Sequence, residues 1–400
     1  MVKKKIKIAF FSDVLRENLD GVTYTIYNII SRIPRERFEY LFITPFPPIE
    51  KSSVPFPVYV CPYIKFPLYG AYPLAFPAFS SKLGKMLDDY KPDIVHFTTP
   101  AFLGKYAVEY ATTRGIPLFS TYHTHFLSYI DYYTFFKIFG GVPFWKRLGG
   151  RIVRWMYNQC EYTFVPTEPI KNELIELGIE ENRLLTWGRG IDSEQFNPSY
   201  RDNEYIDDLA GRGTKRILFV SRLVWEKEIK TLIGINRILA ETRPDIRMIL
   251  TGDGPLEKHL RKTMKNVIFT GKLTGPELSR IYASSDLFVF PSITETFGNV
   301  VQEALASGLP CVVAARGGPM GIIKHGTTGY HAKPKDVNDF VDKILRILDD
   351  PTLQMKMGHA AVRYTRSQNW DSLCKQMFNL YEKVFLEKTT ASEVNSGIAN

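Results

Sequence analysis

Two glutamates, Glu295 and Glu303, flank a helix start in the stretch Pro-Ser-Ile-Thr-Glu-Thr-Phe-Gly-Asn-Val-Val-Gln-Glu-Ala-Leu-Ala-Ser-Gly-Leu-Pro, residues 291–310. The apolar run 286–290 reads as a strand. A helix starts near Asn299 and stops at Gly308-Leu309-Pro310, a C-terminal glycine with proline close behind. Were every step between the two glutamates helical, their carboxylates would lie roughly 12 Å apart. That is too far for two groups sharing one proton, and it suits two contacts on a long ligand. Amides exposed at the helix start favour an anionic group between them.

Cations and glycines stand where such a ligand would need them. Arg222 ends the apolar run 216–221, and Lys227 follows it. Each alone is an ordinary surface cation; together, at the carboxyl end of a parallel strand, they would clamp a pyrophosphate. Gly252 and Gly254 end the next apolar run, and Gly21 follows Asp20 ahead of an amphipathic stretch. These glycines permit close approach of a ligand or simply a tight turn. His123 and His125 end the run 118–122. No carboxylate or cysteine stands near them in sequence, which argues against a shared metal. A single histidine bonding a substrate and a histidine of the core are the two readings left. The chain has no GxGxxG, Walker loop, HExxH or Asp-X-Asp pair, so neither a metal nor a cofactor is expected.

The elements that must hold these residues alternate. Strands are expected at 6–12, 40–44, 94–98, 118–122, 162–165 and 184–187, with helices at 23–32, 82–90, 103–114 and 168–177. The pattern restarts with strands at 216–221, 247–251, 267–270, 286–290 and 311–315. Alternation of this kind argues parallel sheets covered on both faces. The polar segment 192–213 is the expected boundary between two domains. The expected organisation is therefore 1–195, 196–370, a helix at 371–388 packing back on the first domain, and a disordered polar tail at 389–400.

Four hundred residues suit two or three domains. The four cysteines have no paired or metal-type spacing and read as core thiols of a reducing, cytoplasmic compartment. No stretch reaches the length of a membrane span. The net charge of +9 suits an anionic partner: a nucleotide, a nucleic acid or an anionic membrane. Residues 61–80 form a proline-aromatic loop that would line an acceptor cleft or pack over a sheet edge. From 132 to 160 the chain carries Lys137, Lys146, Arg147, Arg151 and Arg154 among many aromatics, with no acidic residue. That stretch, 132–157 above all, suits an anionic membrane surface, single-stranded nucleic acid, or a helix with a buried aromatic face and a wet basic one.

Taken together, these segments resemble the retaining glycosyltransferases of family 4, over about residues 5–388. The most specific element is the E-x7-E motif from Glu295 to Glu303. Supporting it are Ser221-Arg222-Leu223-Val224-Trp225-Glu226-Lys227, Thr251-Gly252-Asp253-Gly254-Pro255, Gly188-Arg189-Gly190-Ile191-Asp192 and Tyr122-His123-Thr124. The branch it resembles includes GDP-mannose-dependent α-mannosyltransferases and sulfoquinovosyl- and glucosyl-diacylglycerol synthases.

The resemblance implies an α/β GT-B fold, two Rossmann-like domains facing across a cleft. It implies metal-independent transfer of a hexose from a GDP- or UDP-sugar to a hydroxyl of a glycan or lipid, with no nucleic acid involved. The alternatives are a UDP-sugar-dependent glycolipid synthase and a GT-B protein that binds nucleotide sugar without transfer. By the same resemblance, Arg222 and Lys227 meet the diphosphate, Glu303 the ribose and Glu295 the sugar. Phe297, Gly298, Asn299 and Val300 meet the sugar and phosphate through the loop and helix start. Gly21 lies by the diphosphate, Gly252 on the donor side, His123 near the sugar, and Gly271 and Lys272 beside the base. Two departures stand out. The family often has an acidic residue just after Gly317-Gly318-Pro319, where this chain has Met320-Gly321, and Asp20-Gly21 replaces a double glycine.

Overall fold

The computed structural model of the chain describes residues 4–17, 19–65, 73–76, 81–124 and 141–397. His125, residues 132–140 and most of the proline-aromatic loop lie outside them.

The chain forms two compact units. The first comprises Met1–Pro166, Lys171–Trp187 and Trp370–Asn400; the second comprises Thr167–Ile170 and Gly188–Asn369. In chain order the elements are β1 (Ile6–Phe11), α1 (Gly21–Ile30), β2 (Phe38–Thr44), β3 (Val58–Val60), β4 (Tyr63–Lys65), β5 (Pro73–Ala75), α2 (Ser81–Tyr90), β6 (Ile94–Phe97), α3 (Phe102–Arg114), β7 (Leu118–Thr121), α4 (Val142–Tyr157), β8 (Tyr162–Val165), α5 (Glu168–Glu176) and β9 (Leu184–Thr186). They continue with α6 (Asn203–Ala210), β10 (Lys215–Val220), α7 (Ile229–Thr242), β11 (Ile246–Thr251), α8 (Glu257–Thr263), β12 (Val267–Gly271), α9 (Gly275–Ser284), β13 (Leu287–Phe290), α10 (Asn299–Ala306), β14 (Cys311–Ala314), α11 (Gly318–Ile322), β15 (Gly329–Ala332), α12 (Val337–Leu348), α13 (Pro351–Arg366) and α14 (Trp370–Gly397).

The first sheet has the order β3-β2-β1-β6-β7-β8-β9 and the second β12-β11-β10-β13-β14-β15, all strands parallel. The central strands are unbroken apolar runs, Leu-Phe-Val-Phe in β13 and Cys-Val-Val-Ala in β14, buried at every position. That is what helices on both faces of a sheet require. In each sheet the strand order reverses beside its first strand, between β1 and β6 and between β10 and β13. Crevices at the carboxyl ends of such strands are where open α/β sheets take ligands.

Four differences from the sequence reading have physical causes. Gly21 does not precede α1 but opens it: Asp20 is the N-cap, its carboxylate accepting from Val22 N at 3.0 Å and Thr23 N at 2.9 Å. The Asp in place of a second glycine thus has a capping role. The polar segment 192–213 is not a linker but part of the second unit, since Phe196 and Ile206 sit in its core and Asp202 N donates to Ser284 Oγ at 2.9 Å. Strand β15 was not expected, because Gly-Tyr-His-Ala is short and follows Gly326-Thr327-Thr328. Helix α14 runs to Gly397, past the expected end near 388, because no proline or glycine interrupts it earlier.

Helix α14 is packed on the first sheet. Tyr381 Oη lies 2.6 Å from His96 Nδ1, whose Nε2 is 2.9 Å from Thr121 Oγ1. Burial depresses the His96 pKa to about 3, so this bridge is between neutral groups. Trp187 Nε1 donates to the Leu373 carbonyl at 2.8 Å. All four cysteines are buried and free.

Candidate functional site

In the second unit, the loops after β10 and β13 leave the sheet side by side at its switch point. The chain after β10 passes Arg222 and a short 3-10 turn, Trp225–Lys227, before entering α7. Glu228 closes that turn in the left-handed region at φ 54°, an uncommon conformation for a residue with a side chain. Lys227 is thereby turned inward. Its side chain is only 8% exposed, against 62% for Arg222.

Lys227 Nζ is ion-paired with Glu295, which stands in the loop after β13. Arg222 reaches Glu226 instead, Nη2 to Oε1 at 3.1 Å. The Glu226 carbonyl accepts from Thr294 Oγ1 at 3.1 Å, so a side-chain-to-backbone bond joins the two loops as well. A buried lysine facing a part-exposed carboxylate is a pair whose partners can be exchanged. A diphosphate offers Lys227 more negative charge than Glu295 does, and sugar hydroxyls offer Glu295 donors in return.

Helix α10 begins one turn further on. Gly298 is its N-cap, at φ 98°, and no side chain caps the helix. A Cβ there would come within 3.0 Å of Pro319 Cγ, so both the conformation and the neighbour call for glycine. The first-turn amides, with the positive end of the helix dipole, favour an anionic group, and Glu295 stands just before them in sequence. The loop itself rests on Gly317 and Gly318. A Cβ on Gly318 would lie 2.1 Å from the Thr296 carbonyl oxygen, and Gly318 N donates to Glu295 O at 2.8 Å.

Glu303 lies on α10, and its Oε2 accepts from Tyr282 Oη of α9 at 2.9 Å. Burial pushes its pKa up to about 7, and the Tyr282 bond offsets part of that rise. A carboxylate that poorly solvated gains from donors such as a vicinal diol.

The remaining expected residues are placed differently. Gly252 and Gly254 are explained by packing within the protein. A Cβ on Gly252 would lie 2.0 Å from Ser221 O, and one on Gly254 2.5 Å from Leu223 O; Leu223 N donates to Asp253 O at 2.7 Å. Their close approach is thus to the chain after β10, which they hold. Gly271, at φ 71°, has open space where a Cβ would stand, and Lys272 beside it is exposed. Gly21 and His123 belong to the first unit, Gly21 exposed at the start of α1 and His123 buried after β7.

Further residues support the site. Tyr282 gave no signal, being one apolar-face residue of an ordinary helix. Gly317-Gly318 was visible as a glycine pair after β14. Arg189 is buried, with its guanidinium 6.0 Å from the centre of the Phe297 ring, and Gln302 Nε2 donates to its carbonyl at 2.7 Å. Burial lowers its pKa to about 9, which leaves it a cation at neutral pH. Among the described residues no group of three or more His, Cys, Asp and Glu could hold a metal ion.

The chain resembles known proteins over most of its length. Residues 203–364 match the family of glycosyl transferases group 1, and residues 19–195 match glycosyltransferase family 4. A sulfoquinovosyl transferase of Arabidopsis thaliana is 35% identical over 80% of this chain; the chain spans 61% of that protein's length. A GDP-mannose-dependent α-mannosyltransferase of Corynebacterium glutamicum is 30% identical over 95% of this chain and 90% of its own. Among solved structures, Anabaena HepE in complex with UDP superposes with a TM-score of 0.73 at 17% identity, covering 94% of this chain and all of that one.

Proposed function

The chain belongs to glycosyltransferase family 4 and has the GT-B fold, and from that premise we propose that it is a retaining hexosyltransferase that uses GDP-mannose ahead of UDP-sugars. The observation that carries the reading is the Lys227–Glu295 pair beside the uncapped start of α10.

In this reading the donor diphosphate takes Lys227, Arg222 and the amides of Phe297 to Val300. Glu295 receives the sugar hydroxyls, and Glu303 holds the ribose. The acceptor hydroxyl attacks the anomeric carbon from the face that the diphosphate leaves. The new C–O bond forms as the bond to phosphate breaks, and a phosphate oxygen takes the hydroxyl proton. The charge that develops on the leaving group is met by cations and amides already in place, and no protein nucleophile is needed. Gly21 and His123 are assigned to the same reaction from the first unit, Gly271 and Lys272 to the base.

The acceptor is a hydroxyl of a lipid or glycan, with the protein peripheral on the inner face of a membrane. Support comes from α4, where Phe144, Leu148, Ile152 and Trp155 are exposed along one side while Val153, Met156 and Tyr157 are buried on the other. Arg147, Arg151 and Arg154 are exposed with them. An apolar ridge flanked by arginines suits the boundary of an anionic bilayer. Among the described residues no helix is long and apolar enough to cross a membrane. Neutralising Lys146, Arg147, Arg151 and Arg154 should abolish binding to anionic vesicles; unchanged binding would remove α4 as the contact.

The test of activity incubates the protein with GDP-mannose or UDP-glucose, and with methyl α-mannoside or dioleoylglycerol vesicles as acceptor. Release of nucleoside diphosphate is measured against the Lys227→Ala/Glu295→Ala double variant. Equal release from both proteins across the panel would sink the proposal.

A further inference from the structure

Arg189 begins a segment that follows α10 along its length. Its carbonyl accepts from Gln302 Nε2 at 2.7 Å, and Gln302 is itself buried in the first turn of the helix. Further along, the Phe196 ring meets the Tyr282 ring edge-on at 5.7 Å, and Tyr282 in turn holds Glu303. Pro198 reaches the far end of the helix, where a Cβ on Gly308 would come within 3.2 Å of its Cγ. The body and end of α10 are thus steadied by packing, and its start is steadied by Arg189.

The start is the part that needs holding. Gly298 joins the loop to the helix at φ 98°, with no side-chain cap, and a glycine joint restrains its neighbours less than any other residue would. Arg189 touches the chain on both sides of that joint. Before it, the guanidinium lies 6.0 Å from the centre of the Phe297 ring, at the outer limit of a cation–π contact. After it, Gln302 bonds the Arg189 carbonyl. One residue therefore ties Phe297 and Gln302 to the same point. Arg189 is only 4% exposed. Leucine or methionine would fill such a place without the cost of taking a cation out of water. A planar, weakly hydrated guanidinium is the cation best suited to lie against a buried ring.

We propose that Arg189 is a positioning residue of the donor site, setting the amides of Phe297 to Val300 for the donor diphosphate through the Phe297 ring. The proposal rests on the reading of this crevice as the donor site, and its test separates the two. Binding of GDP and UDP is measured by titration calorimetry, and that of guanosine and uridine by ligand-observed NMR, which reaches weak affinities. The full chain is compared with Arg189→Met, Arg189→Lys, Phe297→Leu and the Arg189→Met/Phe297→Leu double variant, with thermal melts to confirm folding. The Arg189 carbonyl is kept in every variant, so the bond from Gln302 stays and only the side-chain contact is lost. Affinity for the nucleoside diphosphate that wild type binds should fall about tenfold in Arg189→Met and about threefold in Arg189→Lys. Affinity for the matching nucleoside should change by less than about twofold, because Glu303 keeps its separate hold on Tyr282. The double variant should bind no more weakly than the weaker single variant. A merely structural role would weaken nucleoside and nucleoside diphosphate alike, or give additive losses, and either result overturns the proposal. An unchanged affinity for nucleoside diphosphate overturns it too. If Arg189→Met fails to fold, Arg189→Lys, alone and combined with Phe297→Leu, carries the same comparison. A wild type that binds neither diphosphate overturns the donor reading itself.

Discussion

At the switch point of the second sheet, the buried cation Lys227 faces Glu295 and an uncapped helix start lies alongside. At the switch point of the first, Asp13 has the hydroxyl of Thr99 and, among the described residues, no cation acting on it. The sheets share a strand order around β1 and β10, so the topology supplies two equivalent crevices and the loops make them chemically opposite. In the proposed function the crevice of the second sheet takes the strongly anionic group. Both crevices also keep a carboxyl group at a cost. Burial raises Asp13 to about 6 and Glu303 to about 7, where a structural carboxylate would be paired and lowered.

The sharpest way to break this comparison is Lys227→Ala. If the second crevice works by charge, donor turnover should fall about 10²–10³-fold, the scale for losing one preorganised group on a developing anion. A fall of less than tenfold in nucleoside diphosphate release would show that the buried cation is a packing feature.

Glu303→Gln should part stability from function. The folded protein holds the Glu303 proton more tightly than the unfolded chain does, so stability is lost as pH rises from about 4.5 through about 7. The Gln variant carries no such loss. It should melt close to wild type at pH 4.5 and above it at pH 8, by roughly 1–3 kcal/mol. Its affinity for nucleoside diphosphate should fall about tenfold, read by titration calorimetry. A variant that binds nucleotide normally would break the link between the raised carboxyl and the ribose.

Arg222→Ala should cost less than Lys227→Ala, about threefold to tenfold in donor turnover. Arg222 is well exposed, and water screens what it contributes. Its contribution should shrink further between 50 mM and 500 mM salt, whereas that of Lys227 should not. Equal salt dependence of the two variants would erase the distinction between the buried and exposed cations.

The smallest effect belongs to the first unit. Tyr381→Phe removes the 2.6 Å contact with His96 and should lower stability by about 1 kcal/mol in a denaturant melt. Donor-induced thermal shift should be unaffected. A loss of donor binding on this change would mean that the units are not separable in the way their sheets suggest.

Much of this was readable from residue order. The expected strand at 162–165 is β8, and the expected start of α10 at Asn299 is where the helix begins. Apolar runs with glycine and proline punctuation are local signals, and local signals survive folding. Boundaries drifted where a side chain decided them, as Asp20 did for α1 and as the burial of Phe196 did for the polar segment. The site was legible where a motif occupies one strand–loop–helix unit. The supporting contacts were not, because Tyr282, Gly318 and Arg189 meet the motif only through contacts between elements distant in sequence.

By itself the sequence determined the elements, their alternation, and the spacing of Glu295 and Glu303 about a helix start. These follow from backbone geometry and the period of apolar residues. Tertiary structure alone decided that Lys227 is buried against Glu295 while Arg222 stays in water. It decided too that the glycines at 252 and 254 serve the neighbouring loop, and that Asp13 and Thr99 meet at one crevice. Partners of this kind depend on strand order and register. A parallel sheet brings together residues whose separation along the chain carries no trace of the contact.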